Sequence, residues 1–150
     1  MSLEAAPGVT FYVLDEPSST ARLRLACRLT EKAFRAGHNV LIWHSDASEL
    51  AALDELLWTC GDDRTFIPHE RVTPGQACEA PVLLTTSTAP EAGIDVLINL
   101  AADVPQLAGR AARILEIIDG DAARREAGRS RFKAYRERGW QPVSHSIRDA

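Results

Sequence analysis

The sequence predicts an α/β fold, a single domain over residues 1–150 with a mostly parallel sheet flanked by helices. Two observations carry this. Short apolar runs alternate with segments of helical period from residue 9 to residue 57. The chain, at 150 residues, is long enough for one proper core and short for two.

The elements follow in order. Val9-Thr-Phe-Tyr-Val-Leu14 is a β-rich run closed by Asp15 and Pro17, and it reads as a buried first strand. Ser18, Ser19 or Thr20 can cap the helix that follows. Leu23, Ala26, Cys27, Thr30, Ala33 and Phe34 recur at helical spacing, with Leu25 and Leu29 widening the stripe, until Gly37 stops it. Val40–Trp43 is a second strand. Asp46 or Ser48 then opens a helix carrying Leu50, Leu53, Leu56 and Leu57.

Thr65–Ile67, Pro81–Leu84 and Ile94–Ile98 are further strand candidates, separated by loops at 69–80 and 85–93. Gln106–Ile118 reads as an apolar helix through Leu107, Ala111, Ile114, Leu115 and Ile118. A last helix follows and ends at Gly139. Residues 1–7 and 142–150 are expected to be loose.

No apolar run approaches the roughly 20 residues of a membrane span, and residues 1–8 lack the regions of a signal peptide. The expected location is therefore the cytoplasm. Cys27, Cys60 and Cys78 form no closely spaced pair, so a zinc site is not expected, and they read as reduced thiols.

The loop after the first strand is Asp15-Glu16-Pro17-Ser18-Ser19. It has no glycine, and its two carboxylates repel phosphate. The fold is thus read as Rossmann-like without a nucleotide site, and no cofactor is expected. Ser144-His145-Ser146 lies in a segment that gives little support to a triad. His44 reads as a strand-end histidine with a backbone partner, and His38 as a solvated turn residue. Adjacent Asp54 and Glu55 point to different helix faces and make no carboxylate pair. Neither catalysis nor a small-molecule substrate is indicated. A degenerate α/β enzyme or nucleotide-binding protein remains the alternative.

The most distinctive segment is the last helix. Residues 121–138 hold seven basic and three acidic residues on a chain of net charge -4. Arg125, Arg129, Phe132 and Arg136 are spaced by four, three and four, and so share one face. Guanidinium groups around a ring suit a ligand with carboxylates and one apolar side chain, such as an acidic C-terminus with an aromatic residue. A solvated basic face with Phe132 and Tyr135 turned inward is the plainer reading. Direct single-strand binding is a third, although the acidic remainder of the chain argues against it.

A second segment holds Trp58 at a helix end and Phe66-Ile67-Pro68 soon after. The polar link 59–65 between them is a poor core, so both aromatics are expected near the surface. A tryptophan plugging the core is the alternative.

Val9–Asp15, Gly37–Ile42, Leu53-Asp-Glu-Leu-Leu-Trp58, Phe66-Ile-Pro-His69 and Arg131-Phe-Lys-Ala-Tyr-Arg136 occur in that order. Together they resemble the chi subunit of bacterial DNA polymerase III holoenzyme, from about residue 9 to 140. The resemblance implies a noncatalytic accessory of the clamp loader with an α/β fold and no nucleotide. It implies pairing with the psi subunit, or with a repair helicase, through the residues matching Trp58 and Phe66 and through the adjoining Ile67 and Pro68.

It also implies binding of the acidic, phenylalanine-ended tail of single-stranded DNA-binding protein, which gives indirect contact with single-stranded DNA and helps displace primase. Arg129 matches the arginine that holds the tail's carboxylate. Phe132 stands where tyrosine is common, Lys133 matches a basic residue beside the pocket, and Arg125 stands where lysine is usual. Arg136 continues the same face. The loop at Asp119–Asp121 is expected to be shortened, which alters the pocket's apolar wall.

Overall fold

The computed structural model describes residues 7–59, 66–72, 79–86, 94–106 and 108–147. Among the described residues seven strands form one sheet in which every pairing is parallel. They are β1 (Gly8–Leu14), β2 (Val40–Trp43), β3 (His69–Arg71), β4 (Val82–Thr85), β5 (Val96–Asn99), β6 (Arg113–Ile118) and β7 (Val143–Ile147). Their spatial order is β3-β4-β2-β5-β6-β1-β7. The helices are α1 (Ser19–Arg35), α2 (Ala47–Leu57) and α3 (Ala122–Glu137). The expected α/β class and parallel sheet are thus observed.

Parallel strands buried on both faces need apolar side chains in both directions. β2, β4 and β5 are buried along their whole length. On one face Leu14, Ile42, Val96, Ile98 and Ile117 meet Leu23, Leu25 and Ala26 of α1 and Leu50 and Leu53 of α2. On the other, Val9, Phe11, Leu41, Leu97 and Ile114 meet Tyr135 of α3, with Phe132 partly buried beside them.

Local chemistry sets the helix ends. Ser18 caps α1 by accepting the Ala21 N–H, Asp46 caps α2, and Asp121 caps α3 by accepting the Arg124 N–H. Gly37 and Gly139 follow α1 and α3 with φ of 86° and 85°, the left-handed conformation that ends a helix most easily on glycine.

Four expectations are corrected. Gln106–Ile118 is not a helix: only Ala108–Arg110 makes a 3₁₀ turn, and Arg113–Ile118 is β6. Its residues Ile114–Ile118 are all buried, as a central strand requires, and Leu107 lies outside the described residues. The third strand is not Thr65–Ile67 but His69–Arg71, just after Pro68, within the segment read as a loop. Thr65 itself lies outside the described residues.

Residues 142–147 are not loose. Pro142 is buried and Val143–Ile147 pairs with β1 as an edge strand. At the other end Pro7 is buried, while residues 1–6 and 148–150 lie outside the described residues. Finally, Ser144-His145-Ser146 belongs to that edge strand. Cys27 is fully buried, and Cys60 and Cys78 lie outside the described residues.

Candidate functional site

α3 is held on the sheet by a buried polar cluster. Glu116 of β6 is completely buried. It accepts the Arg131 Nε–H at 2.9 Å, the Tyr135 hydroxyl at 2.6 Å and both ways from the Asn99 amide at 3.1 and 3.0 Å. Burial pushes the Glu116 carboxyl up, against the pull of Arg131, Asn99 and Tyr135. Burial and the Glu116 charge push the Tyr135 hydroxyl up in turn. Arg131 also donates to the Ala102 carbonyl at 2.8 Å. Gly128 brings α3 close to β6: a Cβ there would meet the Ile118 side chain at once.

The anchoring turns the rest of the basic face outward. Arg131 and Tyr135 point in and are spent on the core, whereas Arg129, Lys133 and Arg136 are exposed. Arg129 pairs with Glu126 at 3.0 Å. Lys133 lies 4.0 Å from Glu137. Arg125 is half-buried. It donates to the Asp119, Leu14 and Asp15 carbonyls at 3.3–3.4 Å, so it braces the ends of β1 and β6 from one wall of the site.

Between α3 and the sheet edge lies a groove of about 250 Å³. Its floor is Phe11 and Val13 of β1 with Ser144 of β7, and its wall is Ile118, Arg125, Gly128, Arg129 and Phe132. Phe132 is half-buried against Phe11, with ring centroids 5.2 Å apart. A second depression of about 440 Å³ continues over Arg129, Phe132, Lys133, Arg136 and Glu137. The five basic and aromatic residues expected to act together do line one continuous surface. Phe11, Val13, Ile118 and Ser144 are additional lining residues, and they share no periodicity with α3 that could have revealed them.

The other expected segment forms a patch at the far side of the sheet. Trp58 is 56% exposed and Phe66 64% exposed, with ring centroids 5.7 Å apart. Trp58 is therefore not a core plug. It rests on buried His69, 4.4 Å between ring centroids. His69 is fixed by the Ile67 carbonyl at 2.7 Å and Asp54 Oδ1 at 2.9 Å. Asp54 also pairs with Arg71, while its neighbour Glu55 is exposed. Ile67 is a correction to the expected interface: at 2% exposure it is a core residue, because its side chain faces the α2 cluster beneath the patch. Pro68 is half-buried.

At the carboxyl ends of β1 and β6, where nucleotide-binding folds place a phosphate, this chain places Asp119. Its side chain is fully buried. It accepts the Ser18 N–H at the start of α1 at 2.7 Å and the Asp121 N–H at the start of α3 at 3.2 Å. Arg124 grips both its oxygens. Burial pushes this carboxyl up, but the Arg124 guanidinium and the two backbone N–H groups outweigh that and hold it at about 2. The two helix N-termini thus share an internal anion.

Nearby, buried Arg22 donates to the Leu100 carbonyl and pairs with Glu49. Glu49 lies 2.6 Å from His44 Nε2, and His44 Nδ1 accepts the Asp46 N–H. His44 therefore has its backbone partner and a carboxylate besides. His38 is exposed, as expected.

These features define a class: a parallel, Rossmann-like α/β fold with a carboxylate at its phosphate position and its distinctive chemistry on the outside, in a basic groove and an aromatic patch. The sequence matches the family described as DNA polymerase III chi subunit, HolC, over residues 7–143. The chain belongs to that family, whose members are accessory subunits of the replicative polymerase holoenzyme.

It is 36% identical over 139 residues to the DNA polymerase III subunit chi of Pseudomonas aeruginosa, covering 93% of this chain and 96% of that one. It is 29% identical over 140 residues to the subunit chi of Haemophilus influenzae, covering 91% and 95%. The crystal structure of T4 UvsW is similar in fold, with a TM-score of 0.66 at 11% identity. That likeness covers 94% of this chain, which spans 41% of the UvsW chain. No helix among the described residues is long and apolar enough to cross a membrane.

Proposed function

We propose that this chain is a cytoplasmic, noncatalytic adaptor of DNA replication. The α3 groove takes the acidic, phenylalanine-ended tail of single-stranded DNA-binding protein. The Trp58–Phe66 patch docks the psi subunit of the clamp loader, or a repair helicase that uses the same surface. One body then links the polymerase machinery to the coated template.

The groove is the observation that supports the tail reading. It offers apolar Phe11, Val13 and Phe132 for one ring, and Arg125, Arg129, Lys133 and Arg136 around it for carboxylates. Arginine can grip a carboxylate through two parallel N–H groups, which suits a chain terminus. Two exposed aromatics side by side, Trp58 and Phe66, with Trp58 resting on His69 that Asp54 holds in place, support the psi reading, since aromatics dominate protein interfaces.

Fluorescence anisotropy with a labelled acidic peptide ending in phenylalanine tests the tail site. Arg129→Ala is expected to weaken binding by about 1.5 to 3 kcal/mol, the range for a hydrogen bond to a charged group. Rising salt weakens it further. Equal affinity of Arg129→Ala and the parent overturns the assignment.

A further inference from the structure

The two edges of the sheet are built differently. β3, His69-Glu70-Arg71, is three residues long and carries two charges. Short length and charge are what keep an edge strand from pairing with another chain. β7, Val143-Ser-His-Ser-Ile147, is five residues long and has no Lys, Arg, Asp, Glu or Pro. It pairs with β1 on one side, and among the described residues no strand lies on its other side. Its outer row of backbone N–H and C=O groups is a template for one more strand.

Exposure points to the same strand. Among the described residues the exposed large apolar side chains are Trp58, Phe66 and Val143. The first two form the aromatic patch, whereas Val143 belongs to neither that patch nor the groove. Val143 is 51% exposed on a strand that is otherwise polar until Ile147.

The strand also reads nearly the same in both directions about His145. Serine stands one residue to either side, and a β-branched residue, valine or isoleucine, two residues to either side. Two copies laid antiparallel, with a two-fold axis at His145, oppose like with like. Val143 faces Ile147 of the second copy, Ser144 faces Ser146, and His145 faces itself. Under this axis odd residues oppose odd and even oppose even. The ladder therefore closes whichever alternate residues β1 leaves facing outward.

The two sides of the strand suit the same arrangement. Ser144 lies on the groove side with Phe11. On the other side the Tyr12 and His145 rings lie together, 6.1 Å between centroids, and Ile147 packs on the α1 cluster. Alternation puts Val143 on that side too. Pairing then covers Val143 with Ile147 of the second copy and makes one apolar strip across the axis.

We propose that β7 pairs with β7 of a second copy of this chain, antiparallel about His145, so that two sheets become one. A two-fold contact needs a patch that is complementary to itself, and a strand symmetric about its centre is such a patch. A segment of a different chain has no use for that symmetry, and an acidic segment finds no cation on the strand. The absence of charge also means that the two copies do not repel each other along the ladder. Five residues a side is far below the roughly 20–30 of a stable interface, so the pair is weak and concentration-dependent. The proposal does not rest on the tail reading, because His145 faces away from the groove.

The experiment is sedimentation equilibrium over a concentration series, with variants at the axis. The parent is expected to pass from one chain to two as concentration rises, and no further. Only residue 145 meets its own copy. H145D and H145K are therefore each expected to lose the dimer through facing like charges, and an equal mixture of the two to regain it through opposite ones. Thermal melting followed by circular dichroism checks the fold of each variant. Register is read by cysteine cross-linking, since opposed residues stand about 4.5–5.5 Å apart between Cα atoms, within the span of a disulfide. Under mild oxidation S144C is expected to join S146C faster than it joins itself, with the parent and its three native cysteines as the blank. A parent that stays a single chain throughout the series overturns the proposal. So does a mixture of H145D and H145K that stays as single chains, or S144C that joins itself as readily as it joins S146C.

Discussion

Acidifying this protein is expected to remove the anion shared by α1 and α3. Asp119 is the carboxylate concerned, and its oxygens meet two backbone N–H groups and Arg124. The folded-state pKa is depressed from 3.8 to about 2. The associated stability is therefore present above the ordinary carboxylate range and is lost as pH falls through about 2. A depression of that size corresponds to about 2 kcal/mol.

The assay is urea unfolding of the parent and Asp119→Asn at a series of pH values from neutral down to about 2. Other acids titrate in both proteins, so their difference isolates this group. The parent's advantage over Asp119→Asn should shrink by about 2 kcal/mol across the acid range. A gap that stays constant with pH would refute the reasoning, because the variant would then be losing only shape and not a buried charge.

Three further outcomes are expected. Tyr135→Phe removes the 2.6 Å hydrogen bond to Glu116 and should cost about 1.5 to 3 kcal/mol of stability, read by denaturant unfolding. Trp58→Ala should abolish psi binding in a pull-down, yet cost well below the roughly 3 to 5 kcal/mol of a buried tryptophan, because the ring is 56% exposed. Gly128→Val should weaken tail-peptide binding, measured by anisotropy, because its side chain collides with Ile118 and lifts the wall of the groove.

The sequence disclosed what periodicity encodes. β1, β2 and the first two helices announce themselves through apolar runs, a serine or aspartate cap and a closing glycine. The basic face of α3 was equally legible, because residues 125, 129, 132 and 136 repeat at helical spacing.

β6 misled because Ala111, Ile114, Leu115 and Ile118 also fit a helical stripe, while the run Ile114–Ile118 is buried on both sides in the sheet. Within that run Glu116 is polar, and it is the centre of a buried cluster with Asn99, Arg131 and Tyr135. β3 and β7 read as loop or tail because edge strands carry polar residues: His-Glu-Arg and Val-Ser-His-Ser-Ile. The floor of the groove was hidden for a different reason. Phe11 and Ser144 meet only through the order of strands, which no local pattern specifies.

That pairing has a consequence for how the site comes into being. The groove is framed by residues near positions 11, 118, 128 and 144, so its walls are brought together by pairings of long sequence separation. Such pairings form late, after the entropy of closing long loops has been met. A chain with its helices and half a sheet in place but without those pairings has no groove. A ligand that requires the framed groove therefore distinguishes finished molecules from unfinished ones. If the groove takes the tail as proposed, peptide binding reports on completion of the fold, and a local opening that peels the last strand from the first releases the peptide before the rest of the protein unfolds.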